Sequence, residues 1–198
     1  MKLFSLQILF RTNDQCKLLY ASHDLSTFRY FQRSTVQEFM VFTAKLMSEK
    51  TNPGERGLVK EQDYICHIFV RWDNLCGVLI SDQEYPQRVA QTLLTKATDD
   101  FAAEVPANTW QTLQEGSVAC KKLDELLHRY QNPAEADSMM RLHSELDETK
   151  VILHNTLESL LSRGEKLDDL VQRSEGLSLQ SKMFYTTAKK TNKCCTLL

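Results

Sequence analysis

Two adjacent thiols, Cys194 and Cys195, are the residues of this sequence best placed for covalent chemistry. Cys195-Thr196-Leu197-Leu198 has the form of a C-terminal prenylation box, in which a thioether forms at the cysteine. A leucine in the last place favours geranylgeranyl over farnesyl. Cys194 is the natural site for a second lipid, palmitoyl or another prenyl group. One lipid binds a membrane weakly and reversibly, and stable anchoring takes two signals. Lys182, Lys189, Lys190 and Lys193 either add attraction to anionic lipid or form a solvated helix end.

A second residue asks for chemistry of another kind. From Met139 the chain carries an unbroken run of alternating three- and four-residue steps: Met139, Leu142, Leu146, Thr149, Leu153, Thr156, Leu160, Arg163, Leu167, Leu170, Ser174, Leu177, Ser181, Phe184, Ala188, Thr191. That is the seam of a coiled coil. Arg163 sits on it where an apolar residue belongs. A guanidinium offers five donors and is costly to bury unless they are met. Either Arg163 is solvated on a loose seam, or side-chain amides from partner helices accept its hydrogen bonds and fix the register.

Enzyme chemistry finds little support. Cys66 and His67 are neighbours on an expected strand, so their side chains point to opposite faces. The phosphate-cradling pattern GxxxxGK[ST] is missing, since "NPGERG" lacks the lysine and the spacing. Cys16, Cys66, Cys76 and Cys120 have no metal-ligand spacing and read as small buried hydrophobes in a reduced compartment. We therefore expect no catalytic residue, no metal and no cofactor beyond covalent lipid. A net charge of −2 lacks the basic signature of a nucleic-acid binder. No apolar stretch approaches the roughly 20 residues that span a bilayer, and "MKLFSLQILF" reads as a strand rather than a signal peptide.

The elements around these residues follow from periodicity. Residues 1–11 and 16–22 flank a polar turn and read as a hairpin. A helix is expected at "TVQEFMVFTAKLMSE", with Thr35 and Glu38, or Ser34 and Gln37, as a capping box. It ends before the turn cluster "TNPGERG". "GLVKEQ", "YICHIFVRW" and "LCGVLISD" read as strands. Helices follow at Gln87 to about Ala103 and at roughly 108–130. This order predicts an antiparallel sheet with helices packed on it. The first helix carries two apolar stripes, Val36–Met40–Met47 and Phe39–Phe42–Leu46, so one faces the sheet and the other needs a cover. Asn132–Pro133–Ala134–Glu135 suits a fresh helix start. A continuous helix over 139–191 would be about 80 Å long. Gly164, Gly176 and the polar seam residues make it marginal alone. It should stay largely unstructured until partner helices, or the N-terminal domain, cover it.

"LDETKVILHNTLESLLSRGEKLDDLVQRSEGL" resembles an R-SNARE motif with Arg163 at the central ionic layer. "FQRSTVQEFM", "VKEQDYICH", "YQNPAEAD" and "KCCTLL" extend the likeness over most of the chain, to the longin-domain R-SNAREs that lack a membrane span. The resemblance implies an α+β protein: a profilin-like longin domain, with a five-stranded antiparallel sheet and three helices, over 1–130. A linker at 131–138, the SNARE coiled coil at 139–191 and a lipidated tail at 192–198 would follow. It implies a parallel four-helix bundle in which three Q-SNARE helices each bring a glutamine to Arg163. Met139, Leu142, Leu146, Leu153, Leu160, Leu167, Leu170, Leu177 and Phe184 would be the other layers, and the tail would hold a membrane. It also implies a closed state, with the SNARE segment or its lipid held in a groove by Phe39, Phe42 and Leu46. Phe42 is either a groove residue or an ordinary core phenylalanine. The family is commonly described as farnesylated, which leaves the lipid on Cys195 open. Expected sites are the cytosol and the cytoplasmic faces of Golgi, ER-derived, endosomal, vacuolar or autophagic membranes. The competing function is a lipid-anchored adaptor that regulates SNARE assembly without driving fusion.

Overall fold

The computed structural model describes residues 1–12, 15–133 and 150–194, with side chains up to 189. The strands are β1 (Leu3–Arg11), β2 (Cys16–His23), β3 (Arg56–Glu61), β4 (Tyr64–Val70) and β5 (Leu75–Asp82), joined by β6 (Val151–His154) from the C-terminal segment. The helices are α1 (Arg33–Lys50), α2 (Gln87–Glu104), α3 (Lys121–Arg129), α4 (Leu167–Arg173) and α5 (Leu179–Cys194). The sheet order is β2-β1-β5-β4-β3-β6. Every neighbouring pair is antiparallel except β3 and β6, which run parallel.

Both faces of the sheet are covered, so its strands read as nearly continuous apolar runs. Leu6, Ile8, Leu75 and Leu79 join Leu93, Leu94, Phe101, Leu123 and Trp110 in the core beneath α2 and α3. Leu9, Cys66, Ile68, Cys76, Val78 and Ile80 join Met40, Ala44 and Met47 of α1 in the core on the other face. Gly77 lets α2 approach β5, because a Cβ there would lie 2.8 Å from Thr98 Cγ2. On the α1 side, the buried Gln7 amide donates to Met40 O at 3.0 Å, tying the central strand to the helix.

The architecture is the expected α+β fold, with differences that have local causes. The sheet has six strands, because "VILH" of the SNARE-like segment extends it along β3. Residues 108–130 do not form one helix. A 3₁₀ turn at Ala107–Thr109 is followed by loop as far as α3, and Gly116, at φ +65°, interrupts any helical run. Neither proposed capping box forms at α1. The helix grows directly out of a 3₁₀ turn at Tyr30–Gln32, its cap residue Gln32 is already helical, and Thr35 is buried within the first turns. Of the proposed helix start at Asn132–Pro133–Ala134–Glu135, Pro133 is helical, and Ala134 and Glu135 lie outside the described residues.

Residues 150–178 do not form the continuous helix that a covered seam would allow over 139–191, nor are they without structure. Here the chain runs through β6, a 3₁₀ turn at Leu157–Leu160, and α4 before entering α5. Gly164 takes a left-handed conformation at φ +94°, which breaks the helical path one residue after Arg163.

Candidate functional site

The region that distinguishes this molecule is the face of α1 and the edge of β3 that receive residues 150–189. Val151 and Ile152 are β-branched, and β6 uses them to add a strand along β3 in the register Arg56↔Val151 to Val59↔His154. Immediately afterwards Leu157 enters the α1-side core, 7% exposed. Its N–H donates to Glu61 Oε2 at 3.0 Å. The Thr156 side chain caps the 3₁₀ turn by accepting from Ser159 N–H.

The rest of the segment follows α1 back from its C-terminal end. The Lys50 ammonium pairs with Glu165, whose carboxylate also accepts from Ser162 N–H. Those two donors hold the Glu165 carboxyl below the usual glutamate range. Val171 of α4 is buried, with Leu160 and Leu167 packed against the same core. Ser178 N–H donates to Glu38 Oε2 at 2.7 Å. Burial alone would raise the Glu38 pKa, but this bond and the Ser181, Ser178 and Ser34 hydroxyls outweigh it, and its carboxyl lies below its ordinary value. So Glu38, assigned to a capping box by spacing, instead anchors the chain 140 residues further on.

Beyond this point α5 leans on α1. Tyr185 stacks on Phe39, with ring centroids 5.9 Å apart, and Phe39 meets Phe42 edge-on at 6.5 Å. The Tyr185 hydroxyl donates to Asp168 at 2.9 Å, and Lys189 pairs with the same carboxylate. Burial and that hydrogen bond both raise the Tyr185 pKa. Phe39 and Phe42 are half-buried and Leu46 is buried. Met40 and Met47, of the first stripe, face the sheet.

The seam residues divide sharply here. Leu177 and Ser181 are buried, Leu160, Leu167 and Leu170 are half-buried, and Leu153, Arg163 and Phe184 are exposed. Met139, Leu142, Leu146 and Cys195 lie outside the described residues, and for Cys194 only the backbone, at the end of α5, is described. Among the described residues the buried guanidinium is Arg56, not Arg163. Arg56 lies 3.8 Å over the Phe69 ring and donates to Gln91 and Thr95. Leu157, Val171, Glu38 and Glu61 were not selected by seam spacing. Leu157 and Val171 are apolar residues one step beyond the register positions Thr156 and Leu170, and Glu38 and Glu61 lie in the N-terminal elements that receive the segment.

No catalytic pair is assembled from Cys66 and His67. Burial pushes the Cys66 thiol up to about 12 and the His67 imidazole down to about 4. His67 Nε2 lies 3.2 Å from Ser81 Oγ, on the opposite face from Cys66. Among the described residues no cluster of His, Cys, Asp and Glu could hold a metal, and no helix is long and apolar enough to cross a membrane.

Comparison with known proteins divides the chain at the same place. Residues 25–127 match the longin family model, described as a regulated-SNARE-like domain, and residues 138–196 match the synaptobrevin model. Synaptobrevin homolog ykt6 of Schizosaccharomyces pombe is 51% identical over 197 residues, which is 98% of each chain. Synaptobrevin homolog YKT6 of Yarrowia lipolytica is 46% identical over the full length of both. Its namesake in Saccharomyces cerevisiae is 46% identical over 177 residues, 88% of each chain.

Proposed function

Because the chain belongs to the longin-domain synaptobrevin homologs of the YKT6 kind, a non-enzymatic SNARE family, we propose that it drives vesicle fusion by zippering with three Q-SNARE helices, and that its own longin domain restrains it until then. In the assembled state Met139 to Phe184 would supply the layers, and Arg163 would meet three glutamine carboxamides. A planar five-donor cation among neutral acceptors is satisfied without a second buried charge. Zippering from Met139 toward Thr191 would draw together the membranes bearing the two sets of helices. The force is mechanical, from helix assembly.

The observation that carries the restraint is the burial of Leu177 and Ser181 in the folded-back chain. A side chain cannot fill a bundle layer while it is packed elsewhere, so β6 and α5 must leave before the seam is complete. The exposure of Arg163 is what this reading requires of the unassembled chain. A prenyl group on Cys195 alone would hold a membrane reversibly and allow exchange between cytosol and Golgi, ER-derived, endosomal, vacuolar or autophagic membranes, and a second lipid on Cys194 would make the anchor stable. Mass spectrometry of the C-terminal peptide from native membranes identifies these lipids.

The test mixes the full chain, its Phe42→Glu variant and the 139–191 peptide with three glutamine-bearing SNARE helices, following helicity and complex stoichiometry. The peptide should gain helix and form a four-helix complex at once, the variant more slowly, and the full chain slowest. Equal rates for the full chain and the peptide would remove the restraint. Lipid mixing between liposomes then separates a fusogen from a non-fusogenic adaptor.

A further inference from the structure

Helix α5 faces inward with its polar side. Ser181 is fully buried, Tyr185 and Lys189 meet Asp168, and Lys182 donates to Gln172 O at 2.8 Å. Outward it presents Leu179, 80% exposed, and Met183, 71% exposed, four residues apart and therefore on one face, with Phe184 beside them at 47%. Assembly would not cover the first two. Each lies two positions beyond a seam residue, Leu177 or Ser181, and two helical steps turn a side chain about 200° away. Leu179 and Met183 are thus apolar and uncovered both in the folded-back chain and in a four-helix bundle.

The surrounding charge indicates what does cover them. Residues 176–198 contain Lys182, Lys189, Lys190 and Lys193 and neither aspartate nor glutamate. Asp168 answers Lys189 from α4. A helix with an apolar outer stripe, in a stretch that carries lysines and no acidic side chain, matches the boundary between headgroups and acyl chains of an anionic bilayer. We propose that the outer face of α5 docks in the plane of an anionic membrane while the chain is still folded back, with Leu179 and Met183 inserted among the headgroups.

The experiment uses the full chain made without lipid modification, and a Leu179→Ser/Met183→Ser variant, floated with vesicles of phosphatidylcholine alone or mixed with phosphatidylserine. Both side chains are solvent-exposed, so hydrogen exchange at β6 should be the same in the two proteins. The native chain should bind the mixed vesicles, release on raising salt, and outbind the variant by about tenfold. Failure to bind mixed vesicles, or equal binding by both proteins, overturns the proposal. So does sedimentation showing a dimer that the variant abolishes, since the stripe would then be covered by a second copy. Four-helix assembly, read separately, should be equal for the two proteins, so a failure here leaves the fusion reading standing.

Discussion

At one edge of the sheet, β2 is closed by the loop that leads into α3. Gly116 N–H donates to Leu18 O at 2.8 Å, Val118 N–H to Leu19 O at 3.3 Å, and Glu115 accepts from Leu18 N–H. That loop is held between Trp110 and Cys120, each 1% exposed. At the other edge, β3 is closed by the four residues of β6, one of which, Leu153, is 56% exposed. An open edge invites pairing with other chains, and both covers prevent it. The covers differ in commitment. The first is built into the domain core through Trp110 and Cys120. The second is borrowed from a segment with the periodicity of a coiled coil, and Leu157 is its buried member in that core, with Leu160 and Leu167 half-buried beside it.

The contrast can be broken most forcefully at Leu157. Leu157→Ala should shift the equilibrium from folded-back toward open by about 2–3 kcal/mol, roughly 30- to 150-fold. Distance measurements between fluorophores on α1 and α5 read this directly. Because Leu157 is off the seam, the assembled bundle should keep its stability, and an unchanged open fraction would show that the β3 edge is not the fastening. Gly116→Ala probes the other edge. A side chain at φ +65° is strained by about 1 kcal/mol, so Tm should fall by about 2–4 °C while the open fraction stays constant. A parallel rise in the open fraction would erase the distinction between the two covers.

Smaller effects sharpen it. Glu38→Gln weakens the anchor at Ser178, partly exposed to water, and should raise the open fraction by roughly 0.5 kcal/mol, about twofold, with β6 still protected from exchange. Acid should act on the same contact. The Glu38 and Glu165 carboxyls lie below their ordinary value of 4.5 in the folded-back state. Their contribution is fully present above 4.5 and is lost as pH falls through the lower folded-back values. The α5 contact should therefore be constant from neutral pH to about 5 and loosen below 4.5, with a shallower response in Glu38→Gln. Identical pH profiles for the two proteins would dismiss this anchor.

The N-terminal fold was readable because its signals are local. Alternating and continuous apolar runs mark β1 to β5, and the two stripes of α1 announce two partners, the sheet behind Met40 and Met47 and the C-terminal segment at Phe39. What could not be read was the choice between two structures of one segment. The three-four spacing from Met139 to Thr191 fits the contacts with other chains proposed above. In the single chain, Val151 and Ile152 follow their β-preference on an available edge instead, and Gly164 turns the backbone. Glu38 misled for a similar reason. Its spacing from Thr35 suits a cap, but the preceding 3₁₀ turn removes the need for one, and the carboxylate serves a distant N–H. The seam tells which residues are compatible with a bundle, and only the fold tells which are occupied beforehand.

Leu157 and Val171, held deep in the folded-back chain, stand off the register that would form the bundle. On the reading proposed above, substitution at those two positions would alter how long a molecule waits and leave its pull untouched, whereas Leu177 and Ser181, buried here and also on the register, would tie the two together. Relatives serving faster or slower traffic could then differ at the first pair and retain one common engine.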